Sequence, residues 1–177
     1  MIKNSRSDLP AQPRTDGTPF VRSLKFAIVW SLVFATAIAF VIFFREQPFS
    51  ARTFRILTIT TLGAFSGGFA AYALAAFVAR FRKQRSARFA AMTVFLAAGT
   101  YGMTALIYFF DYRIYFAQWH ESPFTAEFFI QSLVTFLVSF YLFLLWGLHG
   151  MMPAVLLFLF AAGLWFVNSQ DKLDRRD

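Results

Sequence analysis

Long apolar blocks separated by short charged segments dominate this sequence. Three blocks without any charged residue cover residues 26–44, 56–79 and 89–110. A further apolar stretch, residues 128–167, is interrupted by His149 and a few uncharged polar residues. A bilayer core about 30 Å thick takes about 20 helical residues, so each block is long enough to cross it. The pattern predicts an all-α fold, a polytopic bundle of transmembrane helices.

The last apolar stretch is too long for one straight crossing. Its 40 residues would make a helix about 60 Å long, twice the hydrocarbon thickness. The segment from Gly147 to Pro153 contains two glycines, a histidine and a proline, a composition that favours a turn. We therefore expect a fourth span over residues 128–148 and a short fifth span over residues 152–167. The alternative is that Pro153 only kinks a helix, with one half lying flat at the interface, which leaves four spans and the C-terminal tail inside.

Polar tails flank this membrane domain. Residues 1–25 hold Pro10, Pro13 and Gly17 among polar side chains. Such a segment cannot bury enough apolar area to offset the entropy of ordering, so we expect it to be disordered. The transmembrane domain then covers residues 26–168, and residues 169–177 form a polar C-terminal tail.

The distribution of basic residues sets the expected orientation. The chain is 58% hydrophobic and 15% charged, whereas a soluble domain carries about 25% charged residues. Ten Lys and Arg residues fall in the N-terminal tail and the Arg80–Arg88 segment, against four in residues 45–55 and 111–127. Because cytoplasmic loops carry the excess of bases, we expect a multi-pass protein of the bacterial cytoplasmic membrane with a cytoplasmic N-terminus. Five spans would place the C-terminal tail outside, although its three bases weakly favour the inside.

The same basic residues indicate the expected partners. A net charge of +8 in a soluble protein would point to nucleic acid, but here the bases flank apolar blocks. We expect contact with the lipid bilayer, with anionic lipids at Arg80–Arg88, and no nucleic-acid binding. The absence of cysteine excludes disulfides, thiolate catalysis and cysteine metal sites. No dinucleotide or phosphate-loop motif occurs, so we expect no cofactor.

Small residues recur at helical spacing and form candidate helix-packing faces. In lipid, such a face lets two helix backbones approach closely. The face belongs either to an oligomer interface or to packing inside one bundle. Packing inside the bundle is the commoner use, because several helices of one chain must pack on each other in any case. The candidate residues are Ser31, Ala35 and Ala39 in the first block, Gly63, Gly67, Ala71 and Ala75 in the second, and Ala98 and Gly102 in the third.

Uncharged polar residues mark one face of the expected fourth span: Gln131, Ser132, Thr135 and Ser139. They could line a polar path or form hydrogen bonds between helices, and the latter is the commoner use. Ion-coupled transporters place an ionisable residue near mid-membrane. None of the expected spans contains Asp, Glu, Lys or Arg, which argues against a transporter that works alone.

The segment between the third and fourth blocks is the other place where chemistry is conceivable. It contains Asp111, Arg113, His120 and Glu121 among aromatic residues. One interpretation is a short helix lying at the membrane interface, with Tyr112, Tyr115, Phe116 and Trp119 on one face. The other is an external site in which His120 and Glu121 act as acid or base, or His120 and Asp111 bind a metal, but the ligand spacing is not that of a known metal motif.

Function is only broadly constrained by these patterns. We expect a non-enzymatic accessory or packing subunit that associates with itself or with a larger membrane partner. The alternative is a transport component whose polar path forms only in an oligomer or with such a partner.

Overall fold

The computed structural model describes residues 18–44, 50–115 and 125–175, with the backbone alone at residues 142–143 and 146–154. This part of the chain forms four helices, α1 (Pro19–Phe44), α2 (Ala51–Phe81), α3 (Arg85–Tyr115) and α4 (Ala126–Asp174). The all-α prediction is confirmed. Helices α1, α2 and α3 are long and apolar enough to cross a membrane. Within the described side chains α4 offers a shorter apolar segment, Ala126–Tyr141, so the five-span count is not confirmed.

The helices extend beyond the apolar blocks at most ends. Helix α1 begins at Pro19 rather than at residue 26, since proline suits the first helical position and the Arg22 amide bonds to the Thr18 carbonyl at 3.2 Å. Residues 19–25 of the expected disordered tail are therefore helical. Ser50 caps α2 by accepting from the Thr53 amide at 3.3 Å. Residues 169–174 of the expected polar tail continue α4.

The turn expected at residues 147–153 is not found, because the backbone stays helical from Ala126 to Asp174. The helix is longer than the part of α3 that it accompanies. Phe128 lies under Arg113 of α3 and Asp171 pairs with Arg85, so 43 positions of α4 face 28 positions of α3. Straight helices of those lengths would measure about 64 and 42 Å. Proline inside a helix removes one hydrogen bond and crowds the preceding turn, which bends the helix without ending it where neighbours support it.

An apolar cleft lies between α3 and α4. It has a volume of about 440 Å³, and α4 contributes residues from both sides of Pro153 to its lining. On one side are Phe140 and Leu144, and on the other Val155 and Leu159. A bend at Pro153, the kink considered from the sequence, would accommodate the greater length of α4.

The end of α4 lies beside the start of α3. Arg85 Nε is 2.9 Å from Asp171 Oδ2, and Arg88 Nη2 is 2.8 Å from Asp174 Oδ2. The described end of α4 therefore lies at the same end of the bundle as the Arg80–Arg88 segment, whereas five spans would put the two at opposite ends.

Neighbouring helices run antiparallel around a core rich in aromatic and small residues. The rings of Phe26 and Tyr72 are in contact, with centroids 5.3 Å apart. Trp30 lies one turn later in α1 and contacts Gly68, which lies one turn earlier in α2. Gly67 of α2 meets Gly99 of α3 backbone to backbone. Phe166 of α4 is fully buried and packs edge-on against Tyr72 at 5.4 Å. The bundle therefore closes around Tyr72 at the end where α4 returns.

Candidate functional site at the basic end of the bundle

The basic end is the end at which α1 begins, α2 ends, α3 begins and α4 ends. The described residues there contain nine bases and two acids. At the opposite end they contain three bases and two acids. The nine bases are Arg22, Lys25, Arg80, Arg82, Lys83, Arg85, Arg88, Lys172 and Arg175, with the acids Asp171 and Asp174; the other end has Arg52, Arg55, Arg113, Asp111 and Glu127.

Arg88 is the buried centre of this end, with 3% of its surface exposed. Its Nε donates to the Arg82 carbonyl at 3.0 Å, and its Nη2 donates to the Ala79 carbonyl at 3.3 Å. These carbonyls lie at the C-terminus of α2, where helix carbonyls lack partners within the helix. The same guanidinium pairs with Asp174, so one side chain joins the end of α2, the start of α3 and the end of α4.

Arg85 occupies the outer side of the same junction, and 67% of its side chain is exposed. Its Nη2 donates to Asn168 Oδ1 at 3.0 Å while its Nε pairs with Asp171. A polar pocket of about 240 Å³, the Arg85 pocket, opens beside it. Arg85, Asn168, Asp171, Lys172 and Arg175 line this pocket.

The external site considered from the sequence is not assembled in the described part of the chain. Asp111 accepts from Arg55 Nη2 at 2.7 Å and from Arg55 Nε at 3.0 Å. Arg113 instead lies over the Phe128 ring, with Cζ 4.3 Å from the centroid. His120 and Glu121 lie outside the described residues. Among the residues that the structure describes, no group of three or more metal-ligating side chains occurs.

The interfacial helix expected in this segment is replaced, over its first residues, by α3 itself. Helix α3 runs to Tyr115, so Tyr112 and Tyr115 are exposed residues of its last turns. Phe116 and Trp119 lie outside the described residues.

The small-residue face of α2 lies inside this bundle. Gly63, Gly67, Ala71 and Ala75 are all buried. A Cβ on Gly63 would collide with Thr104, and one on Gly67 would collide with the Gly99 backbone. The structure thus places this face against α3 and leaves no space there for a helix from another chain.

The other small residues are placed differently. Ser31 is buried and donates to the Ile28 carbonyl at 2.9 Å, but Ala35 and Ala39 are only half-buried. The buried face of α1 combines small residues such as Ala27 with the larger Trp30 and Phe34. Ala98 and Gly102 are exposed and line the apolar cleft rather than the contact with α2.

The polar residues of α4 satisfy part of their hydrogen bonding within the helix. Ser132 Oγ donates to the Phe128 carbonyl and Thr135 Oγ1 donates to the Gln131 carbonyl, each at 2.7 Å. Gln131 also has an interaction of its own, and Ser139 is half-buried. The protons of these two hydroxyl groups are thus used within α4, and their oxygens keep acceptor capacity.

Sequence reasoning missed the polar contacts that join the helices, and two of these contacts involve a buried side chain. Trp30 Nε1 donates to Thr100 Oγ1 at 3.0 Å inside the bundle, and Arg88 pairs with Asp174 at its end. Arg88 is one of five similar bases in the sequence. Arg85 and Arg88 both lie in the first turn of α3, and only its place on the buried face of that helix distinguishes Arg88.

No protein family model, curated protein or solved structure matches this chain. Its function therefore has to be inferred from the geometry of the bundle.

Proposed function

We propose that this chain is a four-span protein of the bacterial cytoplasmic membrane, with the start of α1 and the end of α4 both facing the cytoplasm. Two observations support the proposal. Three helices are long and apolar enough to cross a membrane, and α4 returns antiparallel to α3. In the described chain the basic end carries nine bases and the opposite end carries three. Such an excess of bases is typical of cytoplasmic faces.

Within that membrane we propose a non-enzymatic accessory role, in which the bundle packs against a second copy or a larger membrane protein. The observation that carries this proposal is the outer face of α4. Its described contacts in the first half are with α3, through Phe128 and Phe136. The opposite face presents large apolar side chains, each at least half exposed, at the spacing of one helix stripe: Ile130, Leu133, Val134, Leu137, Val138 and Tyr141.

The transport alternative has less support from the geometry. A path would need polar groups free to face a lumen, yet the Ser132 and Thr135 hydroxyls bond to their own helix. The closed contact of Gly67 with Gly99 also leaves no passage between α2 and α3 at that level.

Cysteine crosslinking in native membranes tests the accessory role, because the chain contains no cysteine. Single cysteines would be placed at Ile130, Leu133, Val134, Leu137 and Tyr141, with Val29 and Leu32 of α1 as exposed controls. A specific interface predicts adducts from the α4 stripe and none from the controls. Equal adducts from both helices would indicate random collision. Oxidant and bifunctional maleimide both need a thiol on each partner, so a maleimide with a photoactivatable group is added to reach a partner without cysteine. Absence of any adduct with all three reagents would contradict the proposal.

A further inference from the structure

We propose that the Arg85 pocket binds the phosphate-containing headgroup of an anionic phospholipid. This inference rests on the proposed membrane location of the basic end. It goes further because it assigns the ligand to one defined site on α3 and α4. General attraction between a basic loop and a membrane surface would not place the ligand at a single site.

The charges of the pocket are unbalanced. Three cations line it, Arg85, Lys172 and Arg175, against the single carboxylate of Asp171. The neighbouring Asp174 does not correct this excess, because it pairs with the buried Arg88 at 2.8 Å. The C-terminus of α4 contributes only about half a negative charge. A ligand with one or two negative charges would therefore complete the site.

The hydrogen-bonding groups also suit a phosphate. Asn168 accepts from Arg85 through Oδ1 at 3.0 Å, so its amide nitrogen remains a donor at the pocket. Asp171 holds Nε of Arg85, which fixes the direction of a guanidinium that is 67% exposed. Arginine binds phosphate through paired N–H groups, and lysine acts as a point charge beside it.

The start of α3 adds a further favourable feature. Arg85 is the first residue of α3, and the first turn of this helix contains no acidic side chain. The first turn thus adds no negative charge of its own, and the partial positive charge of a helix N-terminus favours an anion.

Position and size distinguish a lipid from other anions. The pocket lies where the apolar helices end, at the depth of lipid phosphates, and exposed apolar residues of α4 such as Leu164 and Trp165 lie one to two turns from it. Its volume of about 240 Å³ is below the roughly 300 Å³ at which drug-sized ligand sites begin. A headgroup enters such a pocket while the acyl chains stay on the apolar surface.

The decisive measurement is lipid retention by the purified full chain in native mass spectrometry, with phosphatidylglycerol as the probe. The test variant is Lys172→Gln with Arg175→Gln. The matched control is Arg82→Gln with Lys83→Gln, which removes one arginine and one lysine from the same end, outside the pocket. A direct contact between an exposed base and the phosphate contributes up to about fivefold, so the test variant should bind up to about 25-fold more weakly. The control should bind as the unaltered chain does.

Each other outcome has a defined meaning. Equal losses in the two double variants would overturn the pocket in favour of diffuse attraction. Equal retention of a zwitterionic phospholipid would overturn the charge argument. Binding of soluble glycerol phosphate with the same dependence on Lys172 and Arg175 would overturn the lipid as ligand. Because both side chains are exposed, the circular dichroism spectrum of the test variant should match that of the control. If the test variant loses helix, the single variant Arg175→Gln replaces it in the comparison.

Failure of this inference is separable from failure of the proposed function. Cysteine labelling in cells reports which side of the membrane the basic end faces, independently of lipid retention. If labelling places the basic end outside and lipid retention still depends on the pocket, the orientation is overturned and the site is kept. If labelling places the basic end in the cytoplasm and the test variant retains lipid as the unaltered chain does, the site is overturned and the orientation is kept.

Discussion

The indole nitrogen of Trp30 donates a hydrogen bond to the hydroxyl of Thr100 across 3.0 Å, joining α1 to α3 through the middle of the bundle. Gly68 of α2 makes the contact possible, because a Cβ there would lie 2.9 Å from Trp30 Cδ1. Thr100 in turn accepts from Thr104 through its backbone carbonyl at 2.7 Å. Three helices are thus linked by one buried polar contact and the small residue beside it.

Replacing Trp30 with phenylalanine should remove this bond and leave the Thr100 hydroxyl without its donor. Hydrogen bonds between membrane helices contribute about 0.6 to 2 kcal/mol, so we expect a loss of that order in the free energy of unfolding. Trp165→Phe is the control, since Trp165 is 50% exposed. Thermal unfolding in detergent measures both. Combining Trp30→Phe with Thr100→Val should cost less than the sum of the single changes, and simple additivity would contradict direct coupling.

Gly67→Leu should destabilise the monomer, because its side chain would enter the contact with the Gly99 backbone. Overpacking typically costs about 1–3 kcal/mol. Gly102→Leu is the matched control, since a Cβ there meets nothing within 4 Å. Unfolding temperature and size-exclusion mass in detergent are the measurements. Loss of an oligomer with an intact monomer from Gly67→Leu would show that the face is intermolecular after all.

Arg88→Ala should destabilise the chain far more than Arg85→Ala. The side chain of Arg88 is 4% exposed and that of Arg85 is 67% exposed. Hydrogen bonds to charged groups contribute about 1.5–3 kcal/mol when buried, whereas exposed ion pairs contribute less than about 1 kcal/mol. Urea or thermal unfolding monitored by tryptophan fluorescence compares the two variants. Similar losses would mean that the three-helix junction does not depend on the buried guanidinium.

Four crossings predict that residues 86 and 177 share the cytoplasmic side. A cysteine at Ser86 should be protected from an impermeant maleimide in intact cells, and one at Ala126 should react. A reporter that is active only in the cytoplasm, fused after Asp177, should be active. A silent reporter together with a protected Ser86→Cys would restore the five-span arrangement.

The bend of α4 predicts a short distance between spin labels on its two halves. Labels at Leu133 and Leu164, both exposed, would lie about 46 Å apart on a straight helix. We expect a clearly shorter distance by pulsed electron resonance, and a longer one after Pro153→Ala. Labels at Val94 and Tyr112 of α3 should give about 27 Å, the value for a straight helix. A distance near 46 Å in the unaltered chain would contradict the bend.

The helices themselves could be predicted from hydropathy because lipid leaves the backbone few alternatives to helix. The ends of the helices could not be predicted in this way. Helix α1 begins at Pro19 and α3 ends at Tyr115, both outside the apolar blocks, because capping and polar residues also take helical structure. The glycines around Pro153 equally favour a turn and a kink. Only tertiary contacts at both ends of α4, such as Arg113 with Phe128, decide between them.

The candidate sites were less accessible to sequence reasoning. The spacing of Gly63 and Gly67 identifies a packing face, but nothing in it names Gly99 and Thr104 as the opposite surface. Arg88 and Asp174 are 86 positions apart, so no local pattern joins them. A charge pair of this kind depends on how many times the chain crosses and where each helix ends, which a single sequence leaves open.

The surplus length of α4 has a consequence for the membrane around it. Helices α1, α2 and α3 fix the height of the bundle, whereas α4 is about 20 Å longer than the stretch of α3 that it accompanies. A bilayer that thickens or thins demands a matching change in apolar height, and straight helices meet it by tilting. Helix α4 has a second response, opening or closing its angle at Pro153. The cleft beside Gly102 would then change its volume with the thickness of the bilayer.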